Sequence, residues 1–444
     1  KTWGSAATND DAKALSVWIK RSNSAFGSTT NEKIVSASTG NGSVADMWEF
    51  NTNNPTGYSD AFGYVVGPQG GTSSIWGVRR FRDPSAWLHI IYIYNSNEVT
   101  AADRIKVYFN GVRTPTTADT SYWDINGSAD PSSGTATAFG KNANEMHIAR
   151  YVYNDAGWWG GQMADWIMID GTAAYTDFGE FKNGVWIPKD PSGLTFGTNG
   201  FHLDFADSSD FGNDVSGNNN DFTVIGTIAT HDQMLDSPTF GSEGSANFCT
   251  YGPLWKTPNI VFSEGNLRYT TSTNNAGCMS NWAIPIGTKF YWEFTQVSFA
   301  GSSGDDAHFG VNQATVDFTA DRGGGPTAYS YVSNAGNKDI LGTHTSYGDA
   351  WTTNDVLGLA IDRVNHTINF SKNGSFIGTF AISATMELFP WSGSGGGTNA
   401  SVGAINFGSD SSFGGLTGLS GTSAAAPDEN GYGDFYDTPP SGFL

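Results

Sequence analysis

The sequence predicts an all-β protein made of two β-sandwich modules in succession, with very little helix. Short apolar–polar alternations end in turn residues, no window holds a capped helical period, and one strand-turn motif occurs twice, far apart in the chain. At 444 residues the chain also exceeds what one hydrophobic core usually fills, about 250–300 residues, so two domains are expected.

The elements follow in order. Ala14–Lys20 (ALSVWIK) alternates apolar and polar positions, and Trp87–Tyr94 (WLHIIYIY) is a nearly continuous apolar run of strand length, the pattern of a central strand. Arg104–Gly111 (RIKVYFNG) places Ile105, Val107 and Phe109 on one face and stops at Asn110-Gly111, a pair that tolerates the positive φ a tight hairpin requires. His366–Gly374 (HTINFSKNG) repeats that arrangement, ending at Asn373-Gly374 after the apolar run Val356–Ile361. The best helical candidate is Thr176–Lys182 (TDFGEFK), at most about two turns. Asp204–Asp221 is dense in Asp, Asn, Ser and Gly, which form Asx-turns in preference to ladders. The expected division is a first sandwich over 1–200, a connecting segment over 201–255 and a second sandwich over 256–444.

Composition narrows the function. The formal charge of −21 repels phosphate backbones and anionic lipid, which argues against nucleic acid and membrane as partners, and no apolar stretch is long enough to cross a bilayer. Two cysteines, Cys249 and Cys278, give no disulfide framework, and a bridge between them is not expected. The seven histidines show no zinc spacing. Gly393-Ser394-Gly395 lies in a Gly-rich run that reads as a flexible loop, without the strand-to-helix setting of a nucleophile turn. Asp165 and Asp170, five positions apart in one strand, point to opposite faces and supply no carboxylate pair for glycoside hydrolysis. The expectation is a protein that is not an enzyme.

Two ligand sites come into view. Trp123, Trp158 and Trp351 stand in loop-like contexts and are candidate platforms for sugar rings, the alternative for each being a core position. Asp210, Asp214, Ser216, Asn218 and Asp221, with Gly212 and Gly217 between them, offer the oxygen ligands calcium takes but no closing bidentate Glu. The alternative is a solvated acidic loop.

Three resemblances add to this reading. LSVWIK, WLHIIY, IKVYFNG, MHIARY and then GWWGGQMADWIMID over Gly157–Asp170 make the first module similar to the laminin G-like branch of the concanavalin A-like sandwiches. Trp159, Gly161 and Asp165 fall in the places of that family's aromatic-Gly-acid strand, a pattern that implies a fold and no activity. FYWEFTQV, HFGVNQA, YSYVSNAGNK, SYGDAW, NDVLGLAIDRVNHTINFSKNG and INFG make the second module resemble a SPRY domain. The linker FHLDFADSSDFGNDVSGNNNDFTVIG with MLDSPT and NFCTYGPL is similar to stretches joining these module types in virion proteins of tailed phages, marine ones in particular. In those proteins sequence commonly continues past a segment like Gly433–Leu444, so a longer parent protein is expected.

The resemblances imply a virion surface component, a tail fibre or a capsid or tail decoration, that recognises host surface glycans or proteins and contacts other virion proteins. A purely structural virion protein is the near alternative; a secreted polysaccharide-active enzyme or a bacterial adhesin is the distant one. A homotrimer rests on analogy with fibres, since no heptad seam encodes it.

Overall fold

The computed structural model describes residues 1–22, 31–38, 44–51, 59–67, 73–126, 130–153, 156–238, 247–272, 276–299, 306–315, 325–395 and 400–444. The fold is all-β: among these residues the helical pieces are single 3-10 turns of three residues each. The chain divides into two compact units, Lys1–Gln233 and Met234–Leu444.

The first unit is a sandwich of two six-stranded antiparallel sheets. One runs Phe201–Leu203, Gly161–Ile169, Ala12–Arg21, Leu88–Asn95, Ile105–Phe109, Val112–Arg113 in spatial order; the other runs Met146–Ile148, Glu32–Ser38, Val44–Asn51, Ala61–Val66, Ser73–Arg80, Trp123–Asn126. Their inward faces meet in one aromatic-rich core that includes Leu15, Val17, Trp48, Phe62, Tyr92 and Trp166. The alternation in Ala14–Lys20 leads to an expectation of one buried face, yet all ten residues of Ala12–Arg21 are buried. The reason is a third layer. Trp18, Ile91, Ile93, Tyr108, Ile167 and Ile169 face away from the main core and pack under Phe178 and Trp186, which belong to the segment around the hairpin Gly179–Lys182/Val185–Pro188.

That hairpin takes the place of the best helical candidate, Thr176–Lys182. A single 3-10 turn, Tyr175–Asp177, is followed at once by a strand, and Asn183-Gly184 turns it back with φ of 53° and 81°. The two Asn-Gly turns legible in sequence adopt the positive φ pair as expected, 48° and 74° at Asn110-Gly111 and 51° and 78° at Asn373-Gly374.

The second unit pairs two seven-stranded antiparallel sheets. The first is ordered Tyr251–Lys256, Ala276–Ser280, Phe389–Gly395, Asp306–Asn312, Tyr329–Val332, Asn337–Ile340, Thr343–Ser346. The second is ordered Ile260–Ser263, Arg268–Thr271, Ser401–Asn406, Lys289–Phe299, Val356–Asp362, Thr367–Lys372, Ser375–Ala381. Trp292, Phe294, Phe309, Tyr331, Leu359 and Phe370 form the core between them. Gly393-Ser394-Gly395, expected in a loop, ends the strand Phe389–Gly395; Gly393 there leaves room for the Trp391 ring of the same strand, which a Cβ would meet at 2.7 Å.

The segment 201–255, expected to be a connector, is divided between the units. Phe201–Leu203 is an edge strand of the first sandwich, and Phe222 packs on Phe201 and Trp3 at 4.8 and 6.3 Å between ring centroids. Tyr251–Lys256 begins the second sandwich. Apolar residues spaced through polar turns were enough to draw the loop onto a core. Cys249 and Cys278 are both buried and are not joined by a disulfide.

Gly111 and Gly374 offer a test of the repeated turn. Each residue would acquire a strained φ on substitution by Ala, costing about 1–2 kcal/mol. A Cβ at Gly111 would also meet the Trp186 ring at 2.2 Å, whereas at Gly374 the nearest atom is Asp437 Oδ1 at 3.2 Å. Gly111→Ala is therefore expected to lose about 1–3 kcal/mol more than Gly374→Ala, measured as the fall in the unfolding transition of the affected unit.

Candidate recognition surfaces

The three candidate tryptophans separate. Trp123 is 2% exposed in the core of the first unit, its Nε1 donating to Pro115 O at 2.9 Å. Trp351 is 4% exposed in the core of the second, edge-on to Phe294. Both are corrected from platform to core: the polar residues around them in sequence belong to turns that fold the ring inward. Trp158 alone is at the surface, 46% exposed, with the Arg150 guanidinium 5.0 Å from its ring. Its loop is pinned to the neighbouring strand, since Lys33 N donates to Gly157 O and Ser36 Oγ to Arg150 O.

The Asp/Asn loop is occupied by its own backbone. Asp214 accepts from the N–H groups of His202, Ser216 and Asn220 and from Ser216 Oγ. Asp221 accepts from Asp214 N and Asp210 from Gly212 N, while the Asn218 amide donates to Gly197 O and Gly200 O. Three carboxylates that between them cap five N–H groups fix turns, and among the described residues no three His, Cys, Asp or Glu side chains are arranged to hold a metal ion. The calcium reading of Asp210, Asp214, Asn218 and Asp221 is replaced by a structural one.

Three buried titratable groups that sequence reasoning did not single out, His89, Glu293 and His308, lie on outer sheet faces. In the first unit His89 stacks on Trp18 at 4.2 Å, accepts from Trp186 Nε1 at Nδ1 and faces Ser16 Oγ at 2.7 Å through Nε2. The Trp donor assigns the proton to Nε2, and burial pushes the imidazole down to about 3, so the ring is neutral. It clips the covering hairpin to the sheet and has no acid partner that would make Ser16 a nucleophile.

In the second unit Glu293 plays the corresponding part. Oε1 accepts from Asp437 N at 2.6 Å and from Tyr291 OH at 3.1 Å; Oε2 accepts from Tyr436 N at 2.7 Å and Asn406 Nδ2 at 3.1 Å. The C-terminal segment is thereby held across the outer face of the second sheet. Phe435 packs edge-on against Tyr291 at 5.3 Å, and Leu444 exchanges backbone hydrogen bonds with Lys289 and Tyr291. Burial pushes Glu293 up to about 8, opposed by its donors, and Asp437 up to about 6. A carboxyl with every oxygen satisfied from within the fold is a clasp, not a general acid.

On the other sheet a polar group runs outward. His308 Nδ1 meets Ser330 Oγ at 3.0 Å, and its ring lies 5.7 Å from Trp391 and 6.0 Å from His344. Asp339, buried, accepts from Gly342 N and stands 3.6 Å from His344 Nε2. His344 is in the edge strand Thr343–Ser346, exposed at all four residues, which presents main-chain groups for pairing.

Comparison with known proteins bears on this unit. Residues 289–410 match the SPRY domain. Ran-binding protein 9 of Xenopus laevis is 28% identical over 151 residues, covering 32% of this chain and 27% of that protein. The human Ran-binding protein 9 is 26% identical over 150 residues, 32% and 20% of the respective chains. The chain thus spans about a quarter of the length of the curated relatives it matches, or less. Among solved structures, the SPRY domain of human HERC1 is similar at a TM-score of 0.31 and 17% identity, covering 35% of this chain and 96% of that one. The PSpry domain of TRIM65 has a TM-score of 0.28 and 12% identity, with 36% and 91% covered. The SPRY match begins at the clasp strand and stops at Asp410, so the covering segment lies outside the matched residues.

Two measurements check this arrangement. Trp351→Ala is expected to cost about 3–5 kcal/mol of stability in the second unit, and Trp158→Ala to leave thermal unfolding nearly unchanged. Because the folded Glu293 and Asp437 carboxyls titrate above their unfolded values, their contribution is full below about pH 4 and is lost as pH rises through about 6 and then 8. Amide exchange in residues 424–444 should accelerate over that range beyond its intrinsic rate, and Glu293→Gln should flatten the response near pH 8.

Proposed function

We propose that this chain is a non-enzymatic recognition protein whose SPRY-matching unit binds a protein partner, and that it works at the surface of a tailed-phage particle as a fibre or a decoration. The observation that carries the first part is the SPRY match over 289–410, together with relatives named for binding another protein. The edge strand Thr343–Ser346 with His344 supplies a surface for it: main-chain groups on the side that no other described strand pairs give affinity by strand addition, and the side chains on either face give specificity. The buried histidine and carboxyl groups described above serve packing, which favours binding over turnover.

The particle setting is supported by the sequence likeness of the 201–254 stretch to virion proteins and by the laminin G-like motifs of the first unit; host glycans or proteins are the targets that this setting implies. A structural role within the particle is favoured by exposed apolar side chains in the second unit, Leu254 at 86% and Trp255 and Trp282 near 40%, which suit contacts with neighbouring subunits.

Labelled chain is expected to bind intact host cells saturably, and Thr343→Glu/Thr345→Glu to weaken that binding at least tenfold without changing the unfolding temperature. An antibody against the chain should decorate purified particles. Unlabelled particles would overturn the virion setting. Binding that ignores the edge-strand variant would overturn the assigned surface, and absence of cell binding on labelled particles would leave the structural role.

A further inference from the structure

The first unit, which lies outside the residues of the SPRY match, carries an arginine ridge. Acidic residues outnumber basic ones by 43 to 22 in this chain, yet Val78–Asp83 reads VRRFRD, a local inversion of charge. Its backbone is rigidly held. Arg80 ends the strand Ser73–Arg80 opposite Ala61, Val78 N donates to Tyr122 O and Phe81 N to Asp60 O, and the Phe81 ring packs on Phe109 and Phe50 at 4.5 and 5.7 Å. With Phe81 turned into the sandwich, Arg79, Arg80 and Arg82 are left exposed.

The guanidiniums differ in what lies beneath them. Arg82 donates through Nε to Asp60 Oδ2 at 2.6 Å and through a terminal nitrogen to Ser59 Oγ at 2.9 Å. The buried Asp60 also faces Arg21 at 3.5 Å, and Arg21 pairs with Glu32 at 3.0 Å. Both acids under the ridge are thus engaged by Arg21 and Arg82. Arg79 lies 5.0 Å from the Phe81 ring, and no carboxylate is within ion-pair distance of it among the described residues. Asp83, close by in sequence, accepts from Ser85 N and Oγ, and Asp119, in the turn before Tyr122, accepts from Ser121 N and Oγ. Phe81 and Tyr122 are half-buried beside these side chains.

We propose that this ridge binds an anionic polysaccharide, with Arg79 taking its carboxylate or sulfate groups, the exposed Arg80 adding positive charge beside it, and the edges of Phe81 and Tyr122 meeting the sugar rings. Planar guanidiniums match such groups bidentately, and half-exposed aromatic edges beside them suit the apolar faces of sugars. An acidic peptide would want an exposed apolar anchor at the centre of the contact, and none of the exposed large apolar side chains falls in 78–83 or 119–123. The overall charge of −21 repels polyanions as a class, so attraction to one has to be local and specific to the ridge.

The test uses the full chain immobilised and titrated with alginate for carboxylate, dextran sulfate for sulfate, neutral dextran, and single-stranded DNA. Saturable binding to at least one anionic polysaccharide is expected, weakened at least tenfold in Arg79→Ala/Arg80→Ala and by raising salt from 0.15 to about 1 M, where screening shortens to about 3 Å. Circular dichroism should show the double variant folded, and Thr343→Glu/Thr345→Glu should bind the polysaccharide as the parent does, which separates this inference from the fate of the SPRY reading. The proposal is overturned if neither anionic polysaccharide binds, if the double variant binds as tightly as the parent, or if neutral dextran or DNA binds equally well.

Discussion

Each unit depends on covering a sheet that is apolar on both faces. A sandwich buries one face of each sheet, and the other can meet water only if it alternates to polar residues. Here Trp18, Ile91, Ile93 and Ile167 in the first unit, and Tyr291 and Ala360 in the second, break that alternation. The chain must add a third layer in both cases, a hairpin after the last long strand of the first unit and the C-terminal segment in the second.

A layer laid over an apolar sheet needs a polar anchor that fixes its register, because apolar packing alone is weakly directional. His89 and Glu293 are those anchors. Each sits in a central strand, is fully desolvated, and meets polar groups of the segment covering it: the Trp186 indole in one case and the Tyr436 and Asp437 amides in the other. Their shifted titration follows from burial and marks structural closure. Shifted groups in clefts often mark catalysis, but these two lie under cover, with their hydrogen-bonding capacity met inside the fold.

What was legible in the sequence was whatever depends on residues near one another. Asn110-Gly111 and Asn373-Gly374 announced their hairpins because a positive φ at both turn positions restricts the residues that fit. The same signal stands at Asn183-Gly184, where the helix-like spacing of Phe residues in Thr176–Lys182 before it competes with the hairpin reading. The SPRY motifs were legible because six blocks stood in register. For Trp123 and Trp351 the sequence left platform and core both open, because polar neighbours in sequence say nothing about which way a turn delivers a large ring.

The sequence by itself determined the all-β class, the presence of two sandwiches and the recurrent hairpin turns, for these follow from local alternation and backbone sterics. Only the tertiary structure decided that Asp214 caps turns, that the 201–255 stretch is shared between the units, that Trp158 is the exposed ring, and that Glu293 holds the C-terminal segment. The Glu293 carboxylate meets amides of residues 436 and 437, and the His89 ring an indole at residue 186. Interactions of that sequence separation leave no periodic trace, because the partner needs only a backbone N–H or one ring nitrogen, which almost any sequence can supply once the fold brings it there.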